Sequence, residues 1–162
     1  MKKHWVLVGI LAGSLCASDA LAQHQAPNQQ PNTAGAPTAP TGDLALGRVH
    51  LPKAVTADGK PLPAGNYDVK LTAQEAAPKA VGTTQTLERW VEFAQAGSVK
   101  GREVVSIVPQ AEIQMVVKDA PPAANGSKVQ VLRGNEYVRV WINKGGNHYL
   151  IHLPASGATP GQ

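Results

Sequence analysis

The chain has 162 residues, a formal net charge of +4 and 43% hydrophobic residues, so its length and apolar content fit one globular domain. Its basic residues are scattered and interleaved with acids, whereas nucleic-acid binding usually needs a clustered basic stripe. The single cysteine, Cys16, excludes an intrachain disulfide, and the stability of the domain must therefore come from a packed core.

The first 22 residues have the pattern of an export signal. Lys2-Lys3 forms a positive start, an apolar stretch follows over residues 5–15, and Ala20-Leu21-Ala22 has the small-x-small pattern of a cleavage site. The stretch is shorter than the roughly 20 apolar residues of a membrane span. We expect cleavage after Ala22, with a lipid anchor on Cys16 as the weaker alternative. The expected location is periplasmic or secreted, with no transmembrane span.

Residues 23–42 contain no aliphatic side chain larger than alanine and no ionisable side chain other than His24. Such a segment buries too little apolar area to offset the entropy of ordering, so a disordered linker rich in Pro, Gln, Asn and Ala is predicted. After this segment, apolar and polar residues begin to alternate with a period of two. We therefore assign residues 43–155 to a β domain and residues 156–162 to a disordered tail.

The first predicted strands alternate clearly between apolar and polar residues. Val49 and Leu51 share one face of the first strand, with Arg48 and His50 on the other face. After the turn at Asp58-Gly59 and the elbow at residues 61–65, three apolar residues alternate with polar ones, which is typical of half-buried strands. These three are Tyr67, Val69 and Leu71.

Two segments fit either a strand or a short helix. Leu87–Phe93 has alternating apolar residues but also apolar residues at helical spacing, and we prefer a strand because a turn and a β-branched run follow it. Glu112–Val117 alternates in the same way, although a helical turn fits there too.

The strongest pattern is a C-terminal hairpin centred on Gly145-Gly146, where positive φ angles cost little. One face of the two strands is aliphatic and is predicted to pack inward, while Arg139, Trp141, His148 and His152 lie on the other face. The inward set is Val138, Val140, Ile142, Tyr149, Ile151 and Leu153.

About seven short strands with regular turns and no long helical segment predict an all-β fold, as a small antiparallel β-sandwich or, alternatively, a small β-barrel. The elbow Leu62-Pro63-Ala64-Gly65-Asn66-Tyr67-Asp68-Val69 resembles that of transthyretin-like and carboxypeptidase-regulatory-like β-sandwich modules, and the chain is also similar to exported bacterial β proteins. The resemblance covers one hairpin. It implies a sandwich and carries no site residues.

The candidate binding site is an aromatic and arginine strip formed by Tyr137, Arg139 and Trp141 on the face opposite the aliphatic one. If that face is exposed, such a strip suits recognition of a protein, peptide or glycan. An exposed strand edge is the other route to a partner. The leading interpretation is therefore a non-enzymatic binding or structural module of the bacterial envelope.

The alternative is a periplasmic Cu or Zn protein that uses His50, His148 and His152. His50 and His152 each begin a His-Leu-Pro run, so pairing of their strands would bring two imidazoles together. No cofactor is expected under the leading interpretation. Catalysis is not expected under either, because no serine lies in a Gly-x-Ser-x-Gly elbow and no nucleophile, base and orienting group can be recognised.

Overall fold

A computed structural model of the chain describes residues 39–76 and 88–157. The predicted signal peptide, nearly all of the predicted linker, Leu87 and the last five residues lie outside the described ranges. The predictions made for them stay predictions.

The described residues form nine strands and one helical turn. In chain order they are β1 (Leu44–Leu51), β2 (Val55–Ala57), β3 (Lys60–Leu62), β4 (Gly65–Glu75), β5 (Glu88–Gln95), β6 (Ser98–Pro109), α1 (Ile113–Val116), β7 (Ser127–Val131), β8 (Tyr137–Lys144) and β9 (Asn147–Pro154). No helix among them is long and apolar enough to cross a membrane.

Seven strands form one sheet in the order β1-β4-β5-β6-β9-β8-β7, and every neighbouring pair is antiparallel. The sheet curls until β1 contacts β7 and β8, so it is nearly closed into a barrel. The all-β prediction is confirmed, and the number of strands in the main sheet matches the expected seven. The architecture is the barrel alternative, because one continuous sheet encloses the core.

The core fills the inside of this barrel. The aliphatic face predicted for the C-terminal hairpin is buried there, with side chains such as Val140 and Ile151 fully covered. The short β2–β3 hairpin adds three buried side chains to the core, Val55, Ala57 and Leu62. It packs on Gly101 of β6, where an added Cβ atom would lie 3.0 Å from Leu62 Cδ2. The small residue therefore makes room for the hairpin.

The predicted turns are present. Lys144 pairs with Asn147 across Gly145 and Gly146, whose φ angles are 61° and 79°, and only a residue tolerant of positive φ fits both positions. At the elbow between β3 and β4, the Tyr67 hydroxyl donates a hydrogen bond of 2.9 Å to the Pro63 carbonyl. The aromatic side chain therefore fixes the corner as well as filling the core.

The two segments that fit either a strand or a short helix fold differently from each other. Residues 88–95 form strand β5, as preferred from the sequence. Residues 113–116 form α1, so the helical alternative is correct there. α1 lies against the outer face of the barrel, where Ile113 and Val117 pack with Val108, Trp141 and Leu150 in a second, smaller cluster.

Candidate functional site

The predicted recognition strip on β8 is not an open surface. Trp141 has 0% of its surface exposed, because α1 and the residues after it cover the outer face of β8 and β9. The condition on which the recognition strip depended, exposure of this face, is therefore not met at Trp141, which lies on the side of β8 away from the barrel interior as predicted. Tyr137, at the start of β8, is 40% exposed and is the accessible member of the strip.

Arg139, the third member of the strip, already has partners. Its Nη2 atom lies 2.6 Å from a carboxylate oxygen of Asp119 and 2.9 Å from the side-chain oxygen of Gln130. Its guanidinium carbon lies 5.6 Å from the centre of the Trp141 ring. Hydrogen bonds from Gln130 and Arg139 hold the pKa of Asp119 below its ordinary value. Arg139 therefore fastens the segment after α1 to the sheet and is not free to receive a ligand.

His148 is buried beside Trp141 and bonded on both sides. The indole Nε1 of Trp141 donates to His148 Nδ1 over 3.0 Å, and His148 Nε2 lies 2.7 Å from the side-chain oxygen of Gln110. Because an indole can only donate, Nδ1 must accept and the ring proton must sit on Nε2, which donates to Gln110. Burial lowers the pKa of His148, so the arrangement holds a neutral imidazole.

The three histidines of the metal alternative do not meet. His50 on β1 lies 3.0 Å from the Asn66 side chain of β4, and His152 on β9 is opposite Arg139 of β8. The pairing that would have brought His50 and His152 together does not occur, because β1 and β9 are not neighbours in the sheet. Within the described residues, no group of three or more His, Cys, Asp or Glu side chains is placed to hold a metal ion.

The open seam between β1 and β7 could not be located from the sequence. The two strands are the edges of the main sheet, and no backbone ladder joins them within the described ranges. Six successive antiparallel pairings in a sheet of seven make the first and last strands run in the same direction. The barrel can therefore close only through a parallel pair, and here it stays unclosed.

Two lysine side chains bridge this seam, one near each end. Lys144, at the end of β8, donates to the Ala45 carbonyl of β1 over 2.6 Å. Lys53, which follows β1, donates to the Asn135 carbonyl in the turn between β7 and β8 over 3.3 Å. We call this pair of contacts the lysine bridges. They hold the edges together by single side-chain bonds instead of a ladder.

The inner side of the seam is incompletely covered. Leu44 of β1 and Val129 of β7 pack against the core but are only partly buried, and Val131 of β7 is 41% exposed. Elsewhere in the barrel the inward-facing aliphatic residues of neighbouring strands are buried. The other inward-facing residues of β1, Leu46, Val49 and Leu51, are buried as well. Among the described residues, the exposed apolar surface at the seam is therefore limited to Leu44, Val129 and Val131.

A concavity lies on the outer wall over β1, β4, β5 and β6, with a volume of about 510 Å³. Its charged groups pair with one another: Arg48 binds Asp68 at 2.9 Å, and Lys70 lies 3.3 Å from both Asp43 and Glu92. A hydrogen bond from Arg48 lowers the pKa of Asp68. Hydrogen bonds from the Ala73 backbone and from Lys70 lower the pKa of Asp43. With its charges already satisfied, this groove is a weaker candidate than the seam.

Comparisons with known proteins give no family. No family model, no curated protein and no solved structure matches the chain. The function of this chain is therefore inferred from its own geometry alone.

Proposed function

We propose that the chain is an exported, non-enzymatic binding module that recognises an extended polypeptide through its strand edges at the seam between β1 and β7. The observation that carries the proposal is that, among the described strands, no backbone ladder joins β1 to β7 in an otherwise continuous sheet. Unpaired N–H and C=O groups on a strand edge are a template for another strand. Main-chain bonds supply affinity in that mode, and alternate side chains supply specificity.

Export is part of the proposal and is supported by the sequence pattern of residues 1–22. An exported chain meets extended segments of envelope or secreted proteins. The transthyretin-like resemblance of the elbow remains a prediction and adds nothing to this site.

The test is selection of binders from a displayed library of random ten-residue peptides, followed by amide hydrogen exchange of the complex. Protection is expected to increase in β1 and β7 and to stay unchanged in β5 and at the β5–β6 turn. A library that yields no binder, or a bound peptide that protects only other strands, would refute the proposed function.

Two matched variants sharpen the test. Val131→Asp places a charge on the half-exposed valine of β7, whereas Val99→Asp makes the same change at a valine of β6 that is 56% exposed. We expect the first variant to weaken binding of a selected peptide about tenfold or more, because a carboxylate then meets the apolar inner side of the bound strand. The second is expected to bind as the unsubstituted chain does.

A further inference from the structure

We infer that the strand accepted at the seam runs opposite to both β1 and β7 and alternates apolar with acidic side chains. The inference rests on the proposed function and specifies its partner. It follows from three features of the seam, namely the direction of its edges, its half-covered apolar side chains and its lysines, which form no salt bridge with a described residue.

Direction comes from the strand order. β1 and β7 run the same way, so one added strand antiparallel to both would give eight strands that alternate in direction around the whole barrel. Antiparallel pairing is slightly more stable per residue than the parallel pair that direct closure would require. The bound strand would begin near Leu51 and Val131 and end near Leu44 and Ser127.

The apolar side chains of the bound strand are inferred from the pleat of a β-strand. Side chains of the added strand alternate between the barrel interior and the solvent. Those that face inward would cover Leu44, Val129 and Val131, which the present structure leaves partly exposed. β7 has five residues, so a matching segment brings two or three inward side chains. Aliphatic residues of valine or leucine size suit them.

The acidic side chains of the bound strand are inferred from the positive charge of the lysines at the seam. Lys53 and Lys144 form the lysine bridges, and Lys128 of β7 lies between them on the outer side. None of the three forms a salt bridge with any described residue. Of the acids in this region, Asp119 is bound by Arg139, and its pKa is lowered by hydrogen bonds and also by the charge of Lys128. Asp43, which precedes β1, is bound by Lys70, and Glu136 is exposed. Outward-facing carboxylates on the bound strand would therefore meet an excess of positive charge.

The same lysines argue against a second copy of the chain as the occupant. Lysine on a strand edge is one way in which proteins prevent edge-to-edge association, and two copies would bring equal positive charges together. A strand with outward carboxylates meets no such repulsion. The seam must also widen by about one strand spacing, roughly 4.8 Å, which requires release of the lysine bridges.

The experiment compares two peptides of nine residues, one alternating valine with glutamate and one alternating valine with lysine, by isothermal titration with the purified full chain at low salt. Each exposed ion pair contributes about 0.2–1 kcal/mol, so three lysines predict roughly 3-fold to 150-fold tighter binding of the glutamate peptide. The difference should shrink as salt is added. Equal affinity of both peptides would overturn the inferred charge preference while leaving the proposed function intact.

Two controls separate the remaining outcomes. A glutamate peptide carrying N-methyl groups on alternate residues cannot donate along one edge and should not bind. If it binds as well as the unmethylated peptide, or if neither unmethylated peptide binds, the proposed edge pairing fails. A spin label on the peptide N-terminus should broaden the amide signals of Leu51 and Val131, and broadening at Leu44 and Ser127 instead would overturn the inferred direction alone.

Discussion

The bridge from Trp141 through His148 to Gln110 predicts an acid-sensitive stability. The perturbation is His148→Phe, which keeps a ring of similar size and removes the acceptor of the Trp141 indole. A buried donor left without a partner costs about 1–3 kcal/mol. At roughly 4 °C per kcal/mol for a domain of this size, the melting temperature at neutral pH should fall by roughly 4–12 °C.

The pH dependence follows from the direction of the pKa shift. Burial lowers the pKa of folded His148 below the ordinary histidine value of about 6.5, so the unfolded chain takes up a proton that the folded chain resists. The stability that the neutral imidazole contributes is present above about pH 6.5 and is lost as the pH falls through the folded pKa. Protonation would also place a proton on Nδ1, facing the indole N–H.

The assay is urea unfolding followed by circular dichroism at pH 7.5 and pH 5.5. The difference in unfolding free energy between the unsubstituted chain and His148→Phe should narrow at the lower pH, because only the unsubstituted chain loses the contribution of His148. His50→Phe, on an exposed strand position, is the matched control. A difference that stays constant between the two pH values, or no loss of stability in the variant, would refute the reasoning.

Three further predictions use the same urea measurement. Gly101→Val should lower the free energy of unfolding by about 1–3 kcal/mol, because the added side chain overpacks against Leu62. Gly42→Val, with open space around its position, should leave the urea midpoint unchanged. Equal midpoints for the two variants would contradict the close packing of the β2–β3 hairpin on Gly101. Leu153→Ala, fully buried in the barrel core, should cost about 2–5 kcal/mol, and a smaller loss would count against that core. Arg48→Gln should not measurably shift the midpoint, because its ion pair with Asp68 is largely exposed to solvent; a clear shift would show that the outer groove contributes to folding.

The period-two pattern predicted the direction of side chains but not their exposure. In the C-terminal hairpin the predicted aliphatic face is buried, and Trp141 lies on the opposite face as predicted. What the alternation could not show is that α1 and the following residues fold back over that face. This covering depends on contacts such as that between Asp119 and Arg139, which are 20 residues apart. Strand periodicity carries no information about them.

The histidines illustrate the same limit. The His-Leu-Pro runs at His50 and His152 suggested paired strands, yet short repeated runs do not determine strand order. His148 looked like a surface residue because its neighbours in the strand alternate. The sequence did contain one relevant signal, since Trp141 and His148 lie on the same face of the hairpin. Trp141 is opposite Leu150, so His148 is its diagonal cross-strand neighbour, within reach of a long or aromatic side chain.

The seam follows from the number of strands and their order together. About seven strands could be predicted from the sequence, but the direction of the edges also depends on how neighbours pair. Because all six pairings are antiparallel, β1 and β7 run in the same direction. Direct closure is further hindered by unequal lengths, because β1 has eight residues and a bulge between Ala45 and Gly47, whereas β7 has five. The seam is instead held by the two lysine bridges. An inserted strand of five residues would replace these two side-chain bonds with about ten backbone hydrogen bonds and cover the apolar line at Val131. The bound strand would therefore restore most of the bonds and the apolar burial that are lost when the seam opens.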